Sequence, residues 1–122
     1  MFIFNRSTTL NRNRMMEATM ASIEVAALAT KITGVDVNVF STLYGEPGNT
    51  IAWTCRLESQ AEMEGMTAKL MANEEYLAWI GSNSEMFETA TLDRLSSIIS
   101  STLTPEVKKY YTVLTAQAAN GR

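Results

Sequence analysis

Two runs of alternating apolar and polar positions lie on either side of a short loop in the first half of the chain. The first, VDVNVFSTLY (residues 35–44), sets three valines against Asp36, Asn38 and Phe40. The second, TIAWTCRLE (residues 50–58), alternates in the same way, and the loop GEPGN precedes it. A period of two is typical of half-buried strands, so the two runs predict a β-hairpin. The aromatic and β-branched run from Phe2 to Thr9 predicts another strand before them.

Residues 11–33 follow the period of a helix instead. Apolar side chains recur there every three or four positions, while Glu17, Glu24 and Lys31 fall on another face, which is typical of an amphipathic helix. Gly34 follows directly, as expected at a helix C-terminus. The recurring apolar residues are Met16, Met20, Ile23 and Ala27.

A second helix is predicted to begin at Ser59. The tetrapeptide Ser59-Gln60-Ala61-Glu62 fits a capping box, in which the serine oxygen and the glutamate carboxylate accept hydrogen bonds from free backbone N–H groups. Asn73 is followed by two glutamates and can cap a helix, so the chain can kink or restart midway. The apolar positions of this helix are Met63, Met66, Leu70, Leu77 and Ile80.

The last element of this series is ambiguous from its pattern. Leu92, Leu95 and Ile99 are spaced as in a helix, whereas the pair Ile98-Ile99 among serines and threonines favours a strand. We predict a strand over residues 93–103. The order is then strand, helix, strand, strand, helix, strand, which defines an α+β, ferredoxin-like βαββαβ fold. Its four-stranded antiparallel sheet carries both helices on one face and leaves the other face uncovered.

Composition limits the classes of protein that this chain can represent. Its 122 residues, 46% hydrophobic and 19% charged, are ordinary for one globular domain. The net charge of −3 comes from scattered residues with no basic stripe, so we expect no nucleic-acid partner. The first four residues form too short an apolar run for a secretory signal or a membrane span, so we expect a cytoplasmic protein without a membrane partner.

The order of elements and the run LMANEEYLAWIGSNSEMF (residues 70–87) resemble the dimeric α+β barrel superfamily. The resemblance is greatest to its NIPSNAP-like and antibiotic-biosynthesis-monooxygenase-like groups, in which a small-Asn/Asp-x-Glu-Tyr step commonly precedes the last turns of the second helix. The segment from Ala72 to Tyr76 matches that step. The resemblance covers residues 1–103, and it implies a homodimer in which two sheets pack face to face as a barrel.

The single cysteine and the absence of histidine narrow the chemistry further. Cys55 alternates with polar residues and shares a side with Ile51, Trp53 and Leu57, so we interpret it as a small buried hydrophobe. The chain contains no histidine, which excludes a Ser-His-Asp triad and any histidine ligand to zinc or haem within it. No cofactor or metal site is predicted.

The uncovered sheet face is the candidate site. A concave, mostly apolar surface with a few convergent polar groups suits a small molecule. Arg56 can hold a carboxylate or enolate oxygen, Asn38 and Tyr44 can orient a carbonyl, and Phe40 can stack on an aromatic group or line an acyl chain. Asn5 or Arg6 joins them, depending on the phase of the first strand. The predicted ligand-binding residues are Asn38, Phe40, Tyr44, Thr54 and Arg56, with Thr42 beside them.

Two function classes are open at this point. The first is a dimeric protein that binds a small apolar or carbonyl-containing molecule, as a carrier or as a cofactor-free oxygenase or isomerase. The second is a structural or regulatory homodimer without chemistry, in which the same face is only an interface.

The remaining residues, 104–122, contain the run KKYYTVLTAQ, which favours a strand at the dimer interface. The alternative is a short surface helix that begins at Pro105, since proline after Thr104 also suits a helix start, but we predict the strand.

Overall fold

A computed structural model describes residues 1–99 of the protein, which form a four-stranded antiparallel sheet with helices on one face. The strands lie in the order β2-β3-β1-β4, and every neighbouring pair is antiparallel. The predicted ferredoxin-like order is therefore confirmed, with the second helix divided in two. The strands are β1 (Phe2–Thr9), β2 (Asn38–Ser41), β3 (Thr50–Leu57) and β4 (Leu92–Ser97), and the helices are α1 (Met15–Thr33), α2 (Gln60–Met71) and α3 (Glu74–Asn83).

Strand lengths differ from the prediction at two places. β1 has the predicted bounds, but β2 contains four residues of the ten in the alternating run, because the chain turns away after Ser41. β4 begins at Leu92 and ends at Ser97, so the predicted strand is present and Ile98 and Ile99 follow it. The predicted interface strand in residues 104–122 lies outside the described residues.

Helix α1 turns a different side to the sheet from the one that its apolar spacing suggests. The residues Met16 and Met20 are 82% and 62% exposed, and Ile23 is 49% exposed. Small side chains face the sheet instead, which lets the helix backbone lie close to β3. The buried residues of α1 are Ala18, Ala21, Ser22, Val25, Ala26 and Ala29.

The close approach of α1 is visible in a single hydrogen bond. The indole Nε1 of Trp53 on β3 donates to the backbone carbonyl of Ser22 at 3.0 Å. That carbonyl is in a helix whose Ser22 side chain is fully buried and donates back to the Ala18 carbonyl at 2.8 Å. The Trp53 ring also packs edge-on against Phe87, with centroids 5.8 Å apart. The indole bond thus joins α1 to β3, and the aromatic contact packs the same Trp53 ring against Phe87.

Two side-chain caps divide the second helical segment. The Ser59 hydroxyl accepts a hydrogen bond from the Glu62 N–H at 3.1 Å, and the Glu62 carboxylate accepts one from the Glu58 N–H at 3.1 Å. Asn73 begins α3 in the same manner, because its side-chain oxygen accepts from the Tyr76 N–H at 2.9 Å. The predicted restart at Asn73 is therefore confirmed, and each cap satisfies backbone donors that have no partner inside the helix.

We expect Ser59→Ala to destabilise the protein by about 1 kcal/mol, because it removes the acceptor for the first turn of α2. Urea unfolding followed by circular dichroism measures this change. Ser82→Ala, at an exposed position within α3, is the matched control and should have almost no effect. An equal loss of stability in the two variants would contradict the capping role.

Candidate functional site

The pairing register assigns every strand residue to one of the two sheet faces. Ile51, Cys55 and Leu57 point toward the helices and are buried. Ala52, Thr54 and Arg56, which alternate with them, point to the opposite side and are half-buried. We call this opposite side the open face. Its residues on the four strands are Ile3, Asn5, Ser7, Thr9, Asn38, Phe40, Thr50, Ala52, Thr54, Arg56, Leu92, Arg94 and Ser96.

A polar row crosses the open face from one edge of the sheet to the other. Asn38 on β2 is opposite Thr54 on β3, which is opposite Asn5 on β1, which in turn is opposite Arg94 on β4. Laterally adjacent strands are about 4.8 Å apart, so neighbouring side chains of the row are within contact distance of one another. Two amides, a hydroxyl and a guanidinium thus form one continuous band of hydrogen-bonding groups.

The rows on either side of this band differ in character. On one side, Phe40, Ala52, Ser7 and Leu92 are opposite one another and give a mainly apolar surface. On the other side, Arg56 is opposite Ile3, which is opposite Ser96. The open face therefore has an apolar row, a polar row that includes Arg94, and a second guanidinium, that of Arg56.

The structure brings together four of the five predicted site residues. Asn38, Phe40, Thr54 and Arg56 all lie on the open face and are half-buried. Tyr44 lies in the loop after β2 and is 74% exposed, so it is outside the strand row. Thr42 lies just beyond β2, where its N–H donates to the Thr50 carbonyl at 3.2 Å.

The phase of β1 decides between the two residues that sequence reasoning left open. Asn5 lies on the open face, whereas Arg6 points to the helix side. There the Arg6 guanidinium donates two hydrogen bonds to the Asp93 carboxylate, at 2.8 and 2.9 Å, and lies 5.7 Å from the centre of the Phe4 ring. The hydrogen bond to Asp93 is the main cause of a raised pKa for Arg6. Arg6 therefore acts as a bridge between β1 and β4 on the helix side.

Arg94 is the site residue that sequence reasoning missed. Residues 88–102 fit a helix or a strand, and the faces of a strand are defined only once its register is known. The pairing of Asn5 with Arg94 supplies that register. The only signal in the sequence is the alternation Leu92, Arg94, Ser96 against Asp93 and Leu95, which becomes readable once β4 is accepted as a strand.

Cys55 lies on the helix side, with 4% of its surface exposed, as the sequence indicated. Burial, with a smaller contribution from the negative charge of Glu62, raises the pKa of the Cys55 thiol to about 11. A thiol with so high a pKa is almost entirely protonated at neutral pH and is a poor nucleophile. Cys55 is therefore part of the core and not of the site.

Within residues 1–99, no cluster of three or more His, Cys, Asp or Glu side chains is arranged to hold a metal ion. No helix in the same part of the chain is long and apolar enough to cross a membrane. The side chains that the open face can offer a ligand are thus hydroxyls, amides, guanidiniums and apolar groups.

Solved structures share this fold. A NIPSNAP-like domain protein from Burkholderia xenovorans superimposes with a TM-score of 0.70 and 16% identity, over 88% of this chain and 95% of that one. A NIPSNAP family protein from Agrobacterium tumefaciens gives a TM-score of 0.68 and 18% identity, over 85% and 96% of the two chains. A protein from Nitrosomonas europaea, described as a candidate antibiotic biosynthesis monooxygenase, gives 0.63 and 6%, over 82% and 100%.

No protein-family model matches the chain, and no curated protein sequence matches it at a significant level. The fold is the ferredoxin-like α+β fold that the NIPSNAP and antibiotic biosynthesis monooxygenase structures also have. The resemblance read from the sequence is confirmed at the level of the fold. At these identities the likeness concerns the fold and carries no activity with it.

We expect native protein to react with a thiol reagent at least roughly a hundredfold more slowly than urea-unfolded protein at pH 7, because Cys55 is both buried and protonated. The rate of disulfide exchange with a chromogenic aromatic disulfide measures this. Rapid stoichiometric labelling of the native protein would show that Cys55 is reachable and ionised.

The raised pKa of Cys55 also predicts a dependence of stability on alkaline pH. An ordinary thiol ionises near pH 8.5, so above that value the unfolded chain releases a proton that the folded chain keeps up to about pH 11. The free energy of unfolding should therefore fall as the pH rises through this window, by at most about 1.4 kcal/mol per pH unit.

Cys55→Ala removes this contribution and serves as the comparison. The difference in unfolding free energy between the wild-type protein and the Cys55→Ala variant should be constant below pH 8 and should become smaller above it. Unfolding curves in urea at several pH values measure the difference. Parallel pH dependences for the two proteins would contradict a raised thiol pKa.

Proposed function

We propose that the protein forms a homodimer through its open faces and binds a small apolar or carbonyl-containing molecule in the space enclosed between the two sheets. The observation that carries this proposal is the polar row of Asn38, Thr54, Asn5 and Arg94, bordered by an apolar row on the same face. A few hydrogen-bonding groups on an otherwise apolar surface are what a small-molecule site requires.

The need for a partner follows from what the open face exposes. Leu92 is 54% exposed there, and Phe40 and Ile3 are half-buried on the same side. An apolar surface of this kind on a sheet is stabilised by a covering layer, and a second copy of the same face provides one by two-fold symmetry. The superfamily that the sequence resembles packs its sheets in this way, which supports the same arrangement here.

The polar row is the reason to expect a ligand as well as a partner. Buried amides and guanidiniums need hydrogen-bond partners. In a symmetric interface between two open faces, however, the arginines of one subunit face mostly other hydrogen-bond donors, because a guanidinium has no acceptor atom. A bound molecule with carbonyl or carboxylate oxygens satisfies those donors. In this arrangement Arg56 and Asn38 hold the oxygen atoms, and Phe40 packs against the apolar part of the molecule.

The residues of the open face support binding of a small molecule better than they support its catalytic conversion. Proton abstraction from an activated carbonyl compound needs a general base, and the strand residues of the open face within the described chain contain no carboxylate, imidazole or thiol. An oxygenase or isomerase activity would therefore take its base from elsewhere, for example from Asp36 or Glu58, which adjoin β2 and β3.

We expect Ala52→Arg to convert the dimer to a monomer, because it places a long charged side chain at the centre of the open face. Sedimentation velocity at micromolar concentration measures the change, and circular dichroism reports whether the fold is retained. Ala27→Arg, on the exposed side of α1, is the matched control and should remain dimeric. A monomeric native protein, or a dimer that persists in Ala52→Arg, would refute this interface.

The ligand is tested by native mass spectrometry of protein purified without added compounds. We expect a bound small molecule in the dimer peak that is absent from Ala52→Arg. A dimer without a bound compound, and with an interior filled by side chains, would instead support the structural or regulatory homodimer.

A further inference from the structure

The open face is electrostatically one-sided. Arg56 and Arg94 both point to it, and the strand residues on that face include no aspartate or glutamate. Neither arginine takes part in the ion pairs formed among residues 1–99, which involve Arg6, Arg12 and Arg14. Neither guanidinium therefore forms an ion pair within the described part of the chain, and the acids that adjoin β2 and β3, Asp36 and Glu58, lie outside those strands.

The positions of the two arginines allow both side chains to reach the same part of the open face. Arg56 lies on β3 opposite Ile3, and Arg94 lies on β4 opposite Asn5. They are two strands apart and offset by two residues, or about 10 Å across the sheet and about 7 Å along it. β1 runs between them, so the long side chains can approach one group from opposite sides above Ile3 and Asn5.

Dimerisation would intensify this imbalance. Two open faces together contribute four guanidiniums and no strand carboxylate to one enclosed space. Cations removed from water without counter-charges are strongly unfavourable, so an anion inside the space would stabilise the assembly.

We propose that the ligand of the open face is an anion: a small aromatic or acyl molecule whose carboxylate, or a similarly charged group, is held between Arg56 and Arg94 above Asn5. This proposal rests on the dimeric cavity proposed above and specifies the chemistry of its occupant. The Asn5 amide donates a further hydrogen bond, and the apolar row with Phe40 and Leu92 accommodates the rest of the molecule. Arginine is suited to this role because its planar fork binds a carboxylate through two hydrogen bonds.

The test uses two fluorescent probes that differ in charge. Anilinonaphthalene sulfonate carries an anionic group, and phenylnaphthylamine has a similar aromatic framework without it. We expect the dimer to bind the sulfonate on the order of tenfold more tightly, because charge-assisted hydrogen bonds distinguish the two probes. Arg56→Gln and Arg94→Gln should each reduce that preference, and the double variant should abolish it.

Lys31→Gln is the matched control, since it removes one positive charge from the exposed side of α1 and should leave the preference unchanged. Sedimentation and circular dichroism establish that each variant is still folded and dimeric. A higher salt concentration should weaken sulfonate binding to the native protein and leave the neutral probe unaffected.

The outcomes separate this inference from the dimeric cavity on which it rests. Equal affinities for the two probes would agree with the proposed cavity but would contradict the proposal that its ligand is an anion. A preference for the sulfonate that persists in the double variant would also overturn it, because the anion would then bind elsewhere, for example at the exposed methionines of α1. Failure of both probes to bind would overturn the cavity and the anionic ligand together.

Discussion

The register of β1 is the constraint on which the remaining structure depends. β1 is paired on both sides, so a shift of one residue would move every side chain of the strand to the other face. Asn5 and Arg6 are neighbours in sequence, but Asn5 lies in the polar row of the open face. Arg6 lies on the helix side, where its guanidinium donates two hydrogen bonds to the Asp93 carboxylate. That ion pair joins β1 to β4 and thereby helps to hold Arg94 beside Asn5.

The two faces of the sheet differ in how completely the chain itself covers them. On the helix side, small residues of α1 allow close packing, and the Trp53 indole reaches the Ser22 carbonyl. Ile51 and Leu57 are almost fully buried there. The open face has no comparable layer among the described residues, and apart from Thr50 its side chains are half-buried or exposed. The open face thus carries both arginine side chains and apolar surface that no helix among the described residues covers.

The residues of the open face favour recognition of oxygen atoms over acid-base chemistry. Arginine, asparagine and threonine side chains can donate hydrogen bonds, and none of them readily accepts a proton at neutral pH. Cys55, the one potential nucleophile singled out in the sequence, is buried on the other side with a raised pKa. Fold relatives described as monooxygenases and as NIPSNAP proteins show that one framework carries different names, so the side chains and not the fold must decide the function.

The sequence alone determined the elements whose signals are local: the extent of β1, the end of α1 at Gly34, and the starts of α2 and α3 at Ser59 and Asn73. It also placed Asn38, Phe40, Thr54 and Arg56 on one face, because period-two alternation within a strand is a local property. Only the tertiary structure decided that Arg94 joins them, that Tyr44 does not, and that α1 turns its alanines to the sheet. Strand register and helix rotation depend on contacts between residues far apart in the chain, and those contacts leave no periodic trace in either segment by itself.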